Sequence, residues 1–222
     1  MKLLAVCHDC RRRHLIDSPD VLGAIGQWHY KHAGHAIEYL NPVVHDVRSV
    51  RSYPRNEDLK LAYAASSALT ITLASLATDA NLLTGRESTA VANESNLYTD
   101  YLIGGKITTG TSPTTDKSIE VWAYGEVEDA ATYPDVFDGT DSAETVTSVD
   151  IKAAILRPIA GMTTDATSDR TYWFGPVSLM SVFGGPIPKN WGVFVVHDTA
   201  VNLNSTGGNH AIWQSGVYHT VL

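Results

Sequence analysis

Trp191-Gly192-Val193-Phe194-Val195-Val196 is an uninterrupted apolar run with the length of a β-strand. Its β-branched and aromatic residues favour extended backbone. A strand with one solvated face alternates apolar and polar residues, whereas this run has no polar position. The stretch therefore predicts a strand that is buried on both sides.

Other runs predict further strands around it. Ser118-Ile119-Glu120-Val121-Trp122-Ala123-Tyr124 carries the β-branched and aromatic residues typical of strands. Leu69-Thr70-Ile71-Thr72-Leu73 alternates strictly, and Val146-Thr147-Ser148-Val149-Asp150-Ile151 alternates more weakly. Glycines separate the runs at intervals typical of a sandwich: Gly125, Gly139, Gly161 and the pair Gly207-Gly208. We therefore expect a mostly β domain.

A single short helix is expected in this domain, within residues 175–185. Leu179, Val182 and Phe183 follow helical spacing, and the pair Gly184-Gly185 provides a stop signal. The other glycine pair, Gly104-Gly105, is interpreted as a turn.

Composition limits the class of protein. Of 222 residues, 44% are hydrophobic and 18% are charged, and the net charge is −8. This acidity argues against nucleic-acid binding. No apolar run reaches the ~18 residues of a membrane span, and no signal-peptide core precedes the fold. We expect a product of a reducing cytoplasm.

Charge divides the chain into two parts. Residues 1–60 have nine Lys and Arg against seven Asp and Glu, whereas residues 61–222 have seven against seventeen. Residues 41–60 lack periodicity and contain Pro42 and Pro54. The expected domains are a zinc knuckle at 1–40, an extended linker at 41–62 and a β-sandwich at 63–222.

The strongest chemical signal lies in the first part. Cys7 and Cys10 form a Cys-x-x-Cys motif, and His32 and His35 follow a stretch that begins like a helix, with Ser18 as its cap. Two thiolates and two imidazoles suit the tetrahedral preference of zinc. We predict a structural Zn²⁺ bound by Cys7, Cys10, His32 and His35, with His29 as the alternative to His32.

Other reactive residues predict no active site. His197 and Asp198 adjoin, but the sequence has no Gly-x-Ser-x-Gly nucleophile motif and no phosphate-binding loop. We interpret them as a strand-end histidine beside a turn aspartate. The acidic runs at 126–129 and 135–144 are interpreted as solvated loops, and His210 and His219 as surface or interface residues. We therefore expect no catalytic residues.

Aromatic residues accumulate toward the C-terminus, with two possible uses. The positions are Tyr172-Trp173-Phe174, Trp191, Trp213 and Tyr218. They are expected to fill a core or a subunit interface. The alternative is a groove that binds sugars.

The second part of the chain resembles a known family. Phe174-Gly175-Pro176-Val177-Ser178-Leu179, Phe183-Gly184-Gly185 and Trp191-Gly192-Val193-Phe194-Val195 are similar to the C-terminal part of tailed-bacteriophage capsid decoration (cement) proteins. Residues 71–78 and 85–88 add to this resemblance, which covers about residues 65–222. The knuckle has no counterpart that we can map.

The resemblance implies a jelly-roll-like antiparallel sandwich on the outer capsid surface of a virion, made in the bacterial cytoplasm. Its partner would be the major capsid protein, and its assembly a homotrimer. Neither nucleic acid nor membrane would be a partner. The alternative function is a carbohydrate-binding adhesin that uses exposed Trp and Tyr side chains.

Overall fold

A computed structural model describes the chain at residues 2–7, 9–17, 37–40, 59–128 and 130–221. The chain divides into two compact units, Met1–Asp58 and Leu59–Leu222. Each unit is described by itself below.

The first unit contains a three-stranded antiparallel sheet. Its strands are β1 (Lys2–Cys7), β2 (Arg12–Asp17) and β3 (Ile37–Leu40), with β1 in the centre. The sequence had suggested a knuckle and a helix here and no strand. The predicted helix, which would begin after Asp17, lies outside the described residues.

The second unit consists mainly of strands. In chain order its elements are β4 (Leu59–Tyr63), β5 (Ser67–Ala68), β6 (Thr84–Glu87), β7 (Val91–Ala92), β8 (Asp100–Thr108), β9 (Lys117–Gly125), β10 (Ala143–Thr145), α1 (Val149–Ile155), β11 (Arg157–Thr164), β12 (Thr171–Ser178), α2 (Leu179–Phe183), β13 (Asn190–His197), a 3₁₀ turn (Gly207–Asn209) and β14 (Ala211–Val221). Strand β4 begins at Leu59, inside the segment predicted to be a linker.

The strands form two antiparallel sheets that share one core. The six-stranded sheet has the order β10-β6-β13-β9-β11, with β7 also on β13, and the five-stranded sheet has the order β12-β8-β14-β4, with β5 also on β14. Side chains of both sheets, such as Val193 and Ile212, belong to one buried cluster. The predicted mostly β, sandwich-like class is confirmed at this level.

Strand β13 lies in the middle of the six-stranded sheet and is buried on both faces. Trp191, Val193 and Val195 point into the core between the sheets. Phe194 and Val196 belong to a second cluster on the outer face of the same sheet. The prediction from the uninterrupted apolar run is therefore confirmed.

The second cluster lies between the outer face of the six-stranded sheet and the chain between β9 and β11, which covers that face. Phe137, Val146 and Leu156 pack there against Phe194 and Tyr124. Phe137 stacks on Tyr124 with the ring centroids 4.6 Å apart. This face of the sheet is therefore closed by the chain itself.

Helix α1 replaces part of a predicted strand. The weakly alternating run at 146–151 was predicted to be extended, but the helix begins at Val149. Ser148 caps it by accepting the N–H of Ile151 at 3.2 Å, and Asp150 lies in the first turn. A Ser cap followed by an acidic first turn favours a helix start over a strand, because both satisfy the unpaired N–H groups there.

Two further predictions are corrected by packing. Residues 69–73 join no ladder, although Leu69 and Leu73 are buried and Thr70 and Thr72 exposed, as strict alternation implied. The pair Gly104-Gly105 lies inside β8 and not in a turn. A Cβ on Gly105 would come within 2.8 Å of the Phe174 ring, so glycine is required by close packing.

Helix α2 agrees with the predicted helical spacing. Ser178 caps its start, and Gly184 ends it in the left-handed conformation at φ 71°. Residues 175–178, included in the predicted helical segment, belong to β12.

Candidate functional site

The outer face of the five-stranded sheet presents large apolar side chains to solvent. Leu61, Tyr63 and Trp173 are exposed by 53%, 58% and 67%. Together with Trp213 they form what we name the apolar sheet face. Such clusters on a monomer's surface often mark a binding site.

Strand register places these four side chains on the same side of the sheet. In β14, Ile212 points into the core, so Trp213 points outward, because side chains alternate along a strand. Tyr63 pairs with Val217, and Leu61 pairs with His219. Val217 and His219 are an even number of residues from Trp213 in β14, so they and their partners lie on the same side of the sheet as Trp213. Trp173 pairs with Lys106 in β8. The next residue, Ile107, points into the core, so Lys106 and its partner Trp173 point outward.

The two tryptophans lie side by side across β8. Their ring centroids are 6.2 Å apart, and their planes differ by 16°. Each indole therefore supports the other, and the pair gives a rigid apolar surface suited to packing against a protein side chain or a sugar ring.

Few charged groups accompany the apolar sheet face. Outward positions of its strands carry Asp100, Lys106 and His219 as titratable side chains. Asp100 accepts the hydroxyl of Ser178 at 2.6 Å and the N–H of Met180 at 2.7 Å. Asp100 is thus held within the fold, and the face lacks the acidic excess of the whole chain.

The cysteine motif forms a tight turn in the first unit. Cys7 ends β1 and is buried, and Cys10 lies in the turn that leads to β2. The N–H of Cys10 points at the Cys7 sulfur at 3.5 Å. This N–H···S contact closes the turn between the two cysteines. The other predicted zinc ligands, His32 and His35, and the alternative His29 lie outside the described residues.

His197 and Asp198 occupy structural positions, as interpreted from the sequence. The imidazole is fully buried, with Nδ1 3.0 Å from the Thr199 hydroxyl and Nε2 3.1 Å from the Leu76 carbonyl. Burial lowers the pKa of His197. Asp198 accepts the N–H of Ser118 at 2.6 Å instead of orienting the histidine.

His210 and His219 were predicted to be surface or interface residues. His219 is exposed, whereas His210 is buried inside the fold, so the prediction is wrong for His210. His210 is buried, and its Nδ1 accepts the N–H of Thr108 at 3.3 Å. Its Nε2 lies 2.8 Å from the Asn204 carbonyl, so Nε2 carries the proton. Burial lowers the pKa of this imidazole too.

The acidic run at 135–144 is not a simple solvated loop. Asp141 binds the Arg86 guanidinium at 2.5 Å and the Thr72 hydroxyl at 2.6 Å, and these contacts help to hold its pKa below the usual value. Asp135 accepts the N–H of Thr147 at 2.9 Å just before the cap of α1. Carboxylates therefore attach this loop to the six-stranded sheet and shape the start of the helix.

The described surface offers shallow depressions. One of 380 Å³ is lined by Glu126, Glu128 and Lys189, among others, and one of 330 Å³ by Asp169 and Asn204, among others. Within the described ranges, no three His, Cys, Asp or Glu side chains converge as metal ligands. No helix in this part of the chain is long and apolar enough to cross a membrane.

Comparisons with known proteins add little. No family model matches the sequence, and no curated protein matches it. One solved structure that the chain is similar to is that of infectious bursal disease virus, Gx strain, at 11% identity and a TM-score of 0.28. The alignment covers 98% of this chain and 50% of the viral chain, so this chain spans half its length. A similarity this weak carries no argument about function.

Proposed function

We propose that this protein is a viral structural protein without enzymatic activity, a capsid decoration protein that binds the outer surface of the major capsid shell. The apolar sheet face is the observation that carries the proposal. Exposing Leu61, Tyr63 and Trp173 on one face costs solvation free energy. A protein partner that covers the face would recover it.

The chemistry of the face favours a particular kind of partner. Its outward Lys106 and the paired state of Asp100 leave no acidic excess, although the chain as a whole is acidic. A capsid subunit with an apolar patch and an acidic rim would be complementary. Three copies in a homotrimer would multiply weak contacts by multivalency.

The first unit supports a structural zinc site within this proposal. The Cys7–Cys10 turn brings the Cys10 backbone N–H to the Cys7 sulfur, and Ile37, which follows His35 by two residues, pairs with Cys7. This register favours His35 as a third ligand, with His32 or His29 as the fourth. A closed site of this kind stabilises a small unit and leaves no coordination position for catalysis.

Binding of carbohydrate is the second candidate function. The Trp173–Trp213 pair favours it, because an exposed indole that packs parallel to a half-buried one resembles the platforms on which sugar rings stack. In that case the protein would be an adhesin on a tail or head fibre.

Capsid binding is tested by co-sedimentation with purified capsid shells of the tailed phage that, under this proposal, encodes the chain. We expect the Tyr63→Ser/Trp173→Ser double variant to bind at least ~10-fold more weakly, a loss of about 1.4 kcal/mol. Val127→Ser is the matched control, because Val127 is equally exposed but lies outside the apolar sheet face. Equal binding by all three proteins would refute the assignment of this face.

A glycan array separates the two candidates. Decoration predicts shell binding without glycan binding, and adhesion predicts the reverse. In both cases Trp173→Ser is the informative variant.

The metal is tested by measuring the zinc content of the purified chain. We expect about one equivalent, lost in Cys7→Ser and in His35→Ala. His29→Ala and His32→Ala, compared directly, identify the fourth ligand. Metal-free wild-type protein with the same fold would exclude the zinc site.

A further inference from the structure

Glu87 is a buried carboxyl group that the proposed function does not use. It ends β6 on the outer face of the six-stranded sheet, and none of its surface is exposed. Its Oε1 accepts the N–H of Asp138 at 3.2 Å and contacts the Ser142 hydroxyl at 3.1 Å. Its Oε2 is buried and has no hydrogen-bond partner among the described residues.

The hydroxyl of Ser142 has more acceptors than it has protons. Its oxygen lies 3.1 Å from Oε1 of Glu87, 2.9 Å from Oε1 of Glu144 and 3.4 Å from the Thr140 carbonyl. One hydroxyl proton serves one of these contacts fully. If both glutamates were ionised, one carboxylate would face the hydroxyl's lone pairs. A proton on Glu87 removes that conflict.

No cation is placed to neutralise Glu87 within the described residues. The nearest in sequence, Arg86, binds Asp141 through its Nε and the Asp141 carbonyl through Nη2. The titratable groups that face Glu87 are otherwise acidic: Asp138 and Glu144 from the loop and β10, Tyr124 from β9, and Tyr133 from the covering segment. An ionised Glu87 would therefore add a negative charge to an acidic and buried site.

We propose that Glu87 is protonated in the folded protein and acts as a pH-sensitive latch that holds residues 138–144 on the sheet. The latch joins the sheet to the segment that covers it. The N–H of Glu87 donates to the Ser142 carbonyl at 2.9 Å, and the N–H of Ala90 donates to the Gly139 carbonyl at 3.0 Å. This inference does not depend on capsid binding.

The direction of the pH effect follows from the burial. Burial, with a contribution from the Asp138 carboxyl, raises the pKa of Glu87 from 4.5 to about 7. The stabilisation is complete below the unfolded-state pKa, where both states are protonated. It is lost as the pH rises from there to about 7, where the folded group also ionises. Within this window the closed state weakens by about tenfold per pH unit.

The test is hydrogen exchange of the Glu87 and Ala90 amides between pH 5 and 8, corrected for the intrinsic exchange rate, in wild type and Glu87→Gln. Glutamine keeps the shape and stays neutral. We expect protection in wild type to fall by about tenfold per unit up to pH 7, relative to the variant. The buried His197 and His210 contribute equally to both proteins and cancel in this ratio.

Glu94→Gln is the control, because Glu94 pairs with Lys189 in a half-exposed salt bridge. It should keep the wild-type pH profile. Parallel profiles for wild type and Glu87→Gln would overturn the proposal. A rise in protection with millimolar Ca²⁺, in wild type alone, would also overturn it by assigning the carboxyl cluster to a cation.

Discussion

The two outer faces of the sandwich differ in what covers them. The six-stranded sheet is closed by α1 and by the loop that carries Phe137, so that β13 is buried on both sides. The five-stranded sheet presents Leu61, Tyr63 and Trp173 to solvent. Both faces are apolar, but within the described part of the second unit only the face of the six-stranded sheet is covered by other segments of that unit. This difference separates side chains that build the fold from side chains available for a partner.

The largest effect is expected for a substitution on the covered outer face of the six-stranded sheet. Phe194→Ala removes a fully buried ring that packs edge-on against Phe137 at 5.2 Å. We expect the free energy of unfolding to fall by about 3–5 kcal/mol, the usual cost of a large cavity. Urea denaturation measures it. A loss below about 1 kcal/mol would mean that the cover contributes little to the fold.

Lys152→Ala tests how helix α1, which covers the outer face of the six-stranded sheet, is attached to that sheet. The Lys152 ammonium in α1 donates to Glu120 Oε2 and to the Leu82 carbonyl, both at 2.7 Å, and lies 4.7 Å from the Trp122 ring centroid. We expect a loss of about 2 kcal/mol, because a hydrogen-bonded charge is removed and Glu120 keeps, among the described residues, only the Trp122 indole N–H, at 2.9 Å, as its partner. The double variant Lys152→Ala/Glu120→Ala should recover part of this loss in the same denaturation experiment.

Ser148→Ala removes the cap of α1 and should cost about 1 kcal/mol. Ser148→Asp is the matched variant, since aspartate also accepts the Ile151 N–H, and it should restore the stability. Thermal unfolding of the three proteins distinguishes loss of the cap from a general effect of substitution.

Trp173→Ala is expected to have the smallest effect on folding. Its indole is mostly exposed, so the free energy of unfolding should change by less than about 1 kcal/mol. Urea denaturation beside Phe194→Ala makes the comparison directly. If Trp173→Ala and Phe194→Ala lowered the free energy of unfolding equally, the two faces would contribute equally to folding, contrary to this account.

The sequence predicts the parts of the fold where one rule dominates. An apolar run without polar positions predicts a strand buried on both faces, and β13 is such a strand. Leu179–Phe183 is a helix because spacing and the glycine stop agree. Val149–Ile155 was predicted to be extended from its weak alternation alone, and the helix-cap signal of Ser148 was missed.

Long-range packing explains the remaining differences. Gly105 was predicted to lie in a turn, but it pairs within β8, and glycine is needed there because Phe174, far along the chain, occupies the space of a Cβ. His210 is buried because the Asn204 carbonyl and the Thr108 amide satisfy its ring. Of the apolar sheet face, the sequence singled out only Trp173 and Trp213, as aromatic residues with two possible uses. Leu61 and Tyr63 were missed, because sequence spacing does not show that β4, β12 and β14 share a sheet. The zinc site remains a prediction from the sequence.

Hydroxyl-radical footprinting of the chain, alone and on the capsid shell, tests the central claim most directly. Oxidation of Tyr63 and Trp173 reports on the apolar sheet face, and oxidation of Val127 reports on an exposed position outside it. We predict that binding to the shell lowers the oxidation of Tyr63 and Trp173 by about tenfold and leaves Val127 unchanged. A shell-bound chain whose Tyr63 and Trp173 stay as reactive as in the free protein would contradict the account.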